Sequence, residues 1–442
     1  MRAQAAADSV ARAPTLGLTS TAPGDTGMAY GLVGDSLVLA RCQGAPIRGV
    51  EVQCLNIFDP VPPGQFSGVY RTANRLHVRT RSTTVRSQIL VAAGRPWTAD
   101  RITESQRLLR DLEYVEPSEI LSRRVGDSVD VRVVTHDQWT TQPELNLERG
   151  GGRTFGSVGL NERNLFGMGL GVSVLYRNDP TGHTRTAVFN GQRLFGTGLQ
   201  GQFKAGTGSG GVSNSILLRD PFRSDDDARS WTVSWLRTSV EHLLFKSGAV
   251  AARFPFHVET AQLEYGVGKR FADGLVRRYV AGLSMEDRRY GTSVAEAGSA
   301  GVFPGGDKDL KLRWAFARVT FWKPHWIERR AVELFDPVED FYVGSLVSME
   351  NGLVLRMLGS TADEGIARLR LETGRETRRF GFGFARGDLS TRVRAGPRET
   401  LAHLDARWIQ QPAPNVAVLV AALSEATDRP ERETQFVVGG LN

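Results

Sequence analysis

The chain has 442 residues, 40% hydrophobic and 23% charged, with 49 glycines, two cysteines and a formal net charge of +7. Apolar residues this plentiful exclude an intrinsically disordered protein, and the longest apolar run, Val416–Leu423, is far below the ~20 residues a membrane-crossing helix needs. A soluble globular protein or a transmembrane β-barrel remains, since barrel strands turn only alternate residues to lipid and keep a polar average.

Residues 1–46 are rich in Gly, Ala and Thr and read as an N-terminal linker with a weak strand at Leu37–Leu39. Met1–Asp8 has no apolar core of a signal peptide, so the expectation is a cytoplasmic protein or a gene start that lies elsewhere. Residues 47–140 are mixed. Ile47–Val52 alternates like a strand, and Ser82–Val91 reads as a short helix with Ser82 as its cap and Gly94 beyond its end. Thr98 opens a second helix through Val115 that buries Ile102, Leu108, Leu109, Leu112 and Val115, and Pro117 stops it. Strands follow at Glu119–Arg123 and Ser128–Thr135 around the turn Gly126-Asp127. The expected order is β-α-α-β-β, with Val50, Val85, Ile89, Ile102, Leu109, Leu112, Val131 and Val133 as core.

From 143 to 442 the pattern is strand after strand. Leu263 alternates with Glu264, and Leu404 with Asp405, so one face is apolar and the other polar. The strands approach the ~9–11 residues of a tilted membrane strand. Trp231-Val233-Trp235 and Phe380-Phe382-Phe384 are expected on the apolar face as an interfacial girdle. The barrel is the better reading. About 300 residues at roughly 25 per strand and connection give about 12 strands.

Of the 55 basic residues, six are Lys and the rest Arg, scattered and matched by acids, so no nucleic-acid partner is expected. Cys42 and Cys54 could pair in an oxidising compartment or stay as two small free residues. Gly206–Gly211 fits G-x-G-x-x-G, yet Val212–Leu218 reads as a strand where a dinucleotide site needs a helix. No G-x-S-x-G elbow occurs, and the seven His never approach metal-ligand spacing. Asp225–Asp227 reads as a solvated run in an extracellular loop, with Ca²⁺ binding as its weaker alternative. His77 and His136 read as packing or hydrogen-bonding residues. No catalytic, cofactor-binding or metal residue is singled out, and no enzyme is expected.

Several segments resemble a known family. Asn56–Pro60, Asn74–His77, the Gly94 turn, Glu104–Arg110 and Val129–Trp139 look like a POTRA domain, and Asn161–Gly169 looks like the first hairpin of the BamA/TamA outer-membrane family, of bacterial surface antigen type. The resemblance covers about 47 to 180 by motif and the rest by pattern. It implies an α+β POTRA domain in the periplasm followed by an antiparallel 16-stranded transmembrane β-barrel. It further implies protein insertion or translocation at the outer membrane, with unfolded outer-membrane or secreted client proteins, outer-membrane lipids and periplasmic or lipoprotein accessory proteins as partners. The chain departs from the family in showing one POTRA segment and in ending at Gly439-Gly440-Leu-Asn442, so a truncated barrel with separated end strands is expected. The alternatives are a passive outer-membrane channel and a soluble β-rich binding protein.

Overall fold

The computed structural model describes residues 30–116, 119–150, 153–179, 182–246, 249–295, 309–333, 338–377, 381–413 and 416–429. Its first elements are β1 (Gly31–Leu32), α1 (Ser36–Cys42), β2 (Ile47–Leu55), α2 (Ser67–Leu76), α3 (Ser82–Gln88), α4 (Ala99–Arg110), β3 (Glu119–Val125) and β4 (Ser128–His136). Four of the strands form a sheet in the order β1-β3-β4-β2. β3 and β4 are an antiparallel hairpin. Val129 N–H donates to Pro46 O and Asp137 N–H to Leu55 O, so β2 and β4 run parallel.

Several expectations fail here: the helix expected through Val115 ends at Arg110, and α3 starts at Ser82 with Arg81, not Ser82, in the cap position. Leu37–Leu39 is helical: the Asp35 carboxylate caps α1 by accepting from Leu37 N–H at 2.8 Å, and short apolar runs suit helix and strand alike. The β-α-α-β-β order also omits α2, a short helix that buries no side chain. The expected core is buried except Val50, which is half-buried. Both cysteines are free.

The chain divides into two compact units. One takes the described residues up to Gln53 with Leu90–Gln106 and Glu119–Val134; the other takes the described residues of Cys54–Ile89, Arg107–Ser118 and Thr135–Asn442. In the first unit the indole N–H of the buried Trp97 donates to Ser122 Oγ at 2.9 Å, and Asp130 is bound by Arg48 at 2.8 Å. Burial alone would raise the Asp130 pKa, but hydrogen bonds from Arg48 and Arg123 outweigh it and hold the carboxyl below its ordinary value.

The second unit carries a 16-stranded antiparallel sheet. Its strands are β5 (Thr141–Gly150), β6 (Arg153–Glu162), β7 (Leu170–Asp179), β8 (Gly182–Gly191), β9 (Gln200–Gly208), β10 (Gly211–Asp220), β11 (Arg229–Lys246) and β12 (Ala249–Arg270). They continue as β13 (Val276–Tyr290), β14 (Val294–Ala295), β15 (Leu310–Lys323), β18 (Ser345–Val354), β19 (Glu364–Glu376), β20 (Gly381–Val393), β21 (Pro397–Ala413) and β22 (Val416–Asp428). Between β15 and β18, β16 (Trp326–Arg330) and β17 (Val338–Tyr342) form a separate hairpin. β14 pairs with β12 beside the main path, so 15 strands follow one another from β5 to β22, where about 12 were expected. The estimate was low because connections such as Ser209-Gly210 between β9 and β10 are only two residues long. Among the described residues no ladder joins β5 to β22.

Period two gives the sheet two different faces. Leu218, Val233, Leu263, Leu283, Ala315 and Leu353 face one another in a row across six strands. Leu263 and Leu283 in this row are 53% and 57% exposed. Glu264, one residue on, points to the opposite face and binds Arg318 at 2.6 Å. On that polar face Arg288 of β13 lies 3.5 Å from Glu399 of β21. A pair so far apart along the strand order requires that the sheet curl with its charged face inside.

Candidate functional site

With no catalytic or metal residue to place, the site is a surface. Among the described residues no group of three or more His, Cys, Asp or Glu could hold a metal ion. Three features of the second unit stand out.

The first is the end of the sheet where α3 docks. His77 Nε2 lies 2.8 Å from Asp137 Oδ2, with both side chains buried, and the same oxygen accepts from Thr80 N–H at 2.6 Å. Asn164 then ties Thr80 to the β6–β7 turn: its amide donates to Thr80 Oγ1 at 2.7 Å and its carbonyl accepts from Gly169 N–H at 2.7 Å. Arg81 N–H and Thr84 Oγ1 both donate to Gly167 O. Gly167 has φ +70°, and a Cβ there would sit 2.4 Å from Arg79 O, so only glycine permits this approach. Next along the rim, Arg223 of the β10–β11 turn donates to Gln88 O at 2.6 Å. Tyr114 is buried beside Gly169, and that burial pushes its hydroxyl up to about 12.

The second feature is the β16–β17 hairpin. Ile327, Phe341 and Val343 pack on Phe382 of β20 and Ile409 of β21, with the Phe341 and Phe382 rings 4.6 Å apart. Phe382 is fully buried on the side of β20 that carries Arg386 and Asp388. The girdle expected from Phe380-Phe382-Phe384 is therefore overturned for Phe382 and Phe384, and Phe380 lies outside the described residues. Trp231 and Trp235 do share the apolar face with Val233. Arg110, from the end of α4, grips the hairpin with two 2.7 Å bonds to Asp340 and one of 2.8 Å to Glu328, while Arg107 stacks 4.3 Å over Trp326.

The third feature is the concave wall. One row crosses six strands: Thr320, Ser348, Arg370, Asp388, His403 and Glu425 stand directly opposite one another. Successive pairs are bonded, Thr320 to Ser348 at 3.0 Å, Arg370 to Asp388 at 2.6 Å and His403 to Glu425 at 3.2 Å. The adjacent row sets Glu350 between Arg318 and Arg368. Opposed charges on neighbouring strands lock register and satisfy each other in a confined space.

The sequence reading located the His77 and Asn161–Gly169 segments but not their partnership. Asp225–Asp227 lies in the β10–β11 turn, beside the Arg223 that binds α3. There the Asp227 carboxylate accepts from Arg223 and Ser224 N–H, and burial raises the Asp225 pKa, so the solvated-run reading fails. One signal was missed outright. Leu165-Phe-Gly-Met-Gly-Leu170 and Leu194-Phe-Gly-Thr-Gly-Leu199 repeat one pattern. Both turns put a phenylalanine at positive φ, Phe166 at +58° and Phe195 at +56°, and leave it 61% and 79% exposed.

No protein-family model and no curated protein matches the chain. Among solved structures it is similar to BamA from Haemophilus ducreyi lacking POTRA domains 1–3, at 10% identity and a TM-score of 0.35, covering 86% of this chain and 72% of that one. CdiB from Acinetobacter baumannii is similar at 10% identity and a TM-score of 0.27, covering 87% and 74%. The first bears the name of the family whose motifs the sequence resembles.

Proposed function

We propose that the chain is an outer-membrane β-barrel protein that inserts or translocates other polypeptides, and that it is not an enzyme. The observation that carries the reading is the two-faced curled sheet. Its convex face exposes Leu263, Leu283, Leu353, Leu404 and Trp408, an apolar display far larger than a water-soluble surface carries, while its concave face is lined with paired charges. The resemblance to the BamA/TamA family supplies the class of activity. In this reading residues 47–140 are a POTRA-like periplasmic domain, residues 143–442 the barrel, and the end where α3 docks is periplasmic. Unfolded clients reach the barrel from that domain by strand addition at its sheet edge, outer-membrane lipids surround the convex face, and lipoprotein or periplasmic accessory proteins join at the rim.

The test is reconstitution. In vesicles of outer-membrane lipid, the chain should speed the conversion of an added unfolded outer-membrane protein to its protease-resistant form relative to protein-free vesicles. Vesicles that gain ion conductance alone would identify a passive channel. A chain that stays monodisperse without detergent would identify a soluble β-rich binding protein.

A further inference from the structure

α2 packs by one side and leaves another uncovered. Tyr70 sets its ring 4.6 Å from that of Phe58. Asn74, one turn on, accepts from Phe58 N–H at 3.1 Å and donates to Phe58 O at 2.8 Å. With those two residues fixing the helix, Phe66, Val69, Ala73 and Leu76 recur at helical spacing along an adjoining side. Phe66, Val69 and Leu76 are 59%, 64% and 70% exposed. Arg71 and Arg75 stand on the opposite side of the helix, both exposed. Arg71 bonds to Ser67 within α2, and Arg75 has no ion-pair partner among the described residues.

The stripe continues beyond the helix. Leu76 and Val78 share a shallow cleft of about 160 Å³ with Trp139 and with Phe166 of the β6–β7 turn, and all four are exposed. Trp139 leads into β5, whose Leu145 and Leu147 lie by register on the face of Leu263 and are exposed too. The carboxylate in the cleft, Glu162, is engaged by Asn164 N–H and Thr141 Oγ1. Charge points the same way, for between Asp59 and Asp100 the chain carries six Arg and no Asp or Glu. An apolar stripe backed by arginine, and joined through a tryptophan to an exposed apolar sheet face, is the pattern of a helix lying in a headgroup layer. A folded protein partner would seat its anchoring side chains in pockets, and α2 offers only that cleft. Fluid acyl chains need none.

We infer that α2, with Val78, Trp139 and Phe166, anchors the chain in the headgroup layer of an anionic phospholipid leaflet; the inference rests on the membrane barrel proposed above. A nitrobenzoxadiazole dye on a cysteine replacing Leu76 tests it in the full chain, in a Cys42→Ser/Cys54→Ser background. Gly68, on the polar side of α2, and Leu263 are the reference positions. The host vesicles are phosphatidylcholine alone or mixed equally with phosphatidylglycerol, and lipids carrying a nitroxide near the headgroup or deep in the acyl chain quench the dye. Shallow quenching at 76 should exceed that at 68 several-fold. Arg71→Glu with Arg75→Glu should lower it several-fold in the anionic vesicles and leave acyl-chain quenching at 263 unchanged. Equal quenching at 76 and 68, or quenching at 76 that ignores phosphatidylglycerol, would overturn the inference. So would a dye at 76 that responds only to added unfolded client, which would make the stripe a polypeptide surface. Quenching at 263 without quenching at 76 would remove the anchor and leave the barrel standing. Quenching at neither would remove the barrel itself, and quenching at both without client assembly would keep the anchor and remove the insertion function.

Discussion

Arg110 and Asp340 lie 230 residues apart in the chain and are joined by two parallel 2.7 Å hydrogen bonds, with both side chains about nine-tenths buried. Removing one partner leaves the other charge buried and alone. Arg110→Ala should therefore cost about 3–5 kcal/mol, and the double variant with Asp340→Asn should recover part of that loss. Tryptic cleavage at Arg329 and Arg330 in the hairpin reads the outcome. Unchanged cleavage in the single variant would mean that Phe341 and Ile327 hold the hairpin without help from Arg110.

Side-chain direction along the strands is open to labelling. Cysteines at 263 and 404 should resist water-soluble maleimides in lipid vesicles, whereas cysteines at 264 and 405 should react, because hydrocarbon cannot hydrate the carboxylates native to the latter two positions. The opposite order of reactivity would reverse the two faces.

Phe195 holds a backbone conformation that costs a residue with a Cβ about 1–2 kcal/mol, and its ring packs on little. Phe195→Gly should raise the unfolding free energy in detergent by that amount, and the denaturation midpoint with it, while weakening partition into lipid vesicles. A lowered midpoint would show that the ring is a packing residue after all.

Ser122→Ala leaves the indole N–H of Trp97 buried with no acceptor, a loss of about 1–3 kcal/mol. Faster amide exchange along β3 and β4 is the expected sign. Exchange at the native rate would mean that another acceptor takes over.

Acid should weaken the small sheet through Asp130. Its carboxyl titrates below the ordinary 3.8 when folded, so the unfolded chain takes up its proton first. The stabilisation is complete above 3.8 and disappears as pH falls through the lower folded value. Asp130→Asn should flatten the acid side of the stability curve of this unit. A curve as steep as the native one would place the acid-sensitive group elsewhere.

What the sequence disclosed follows from how far each signal reaches. The Leu263–Glu264 alternation needs only adjacent residues, and it gives the correct face at both positions. The same rule misplaces Phe382, since parity cannot announce that a hairpin from residues 326–342 covers that end of β20. His77, Asp137 and Asn164 each fall in a recognisable motif, but that Asp137 binds His77 and that Thr80 bridges Asp137 to Asn164 is settled only in three dimensions. The helix at Ser36–Cys42 turns on one cap at Asp35, a weaker cue than the apolar run it precedes.

The paired Leu-Phe-Gly-x-Gly-Leu turns bear on how such a sheet acquires its circumference. Each follows one strand and precedes the next, so from one turn to the next the chain runs through two strands, beginning and ending at the same rim. Inserting such a unit leaves every other residue pointing as before and adds one increment of diameter. A sheet built from such pairs changes its width in steps of two strands while each residue keeps its face.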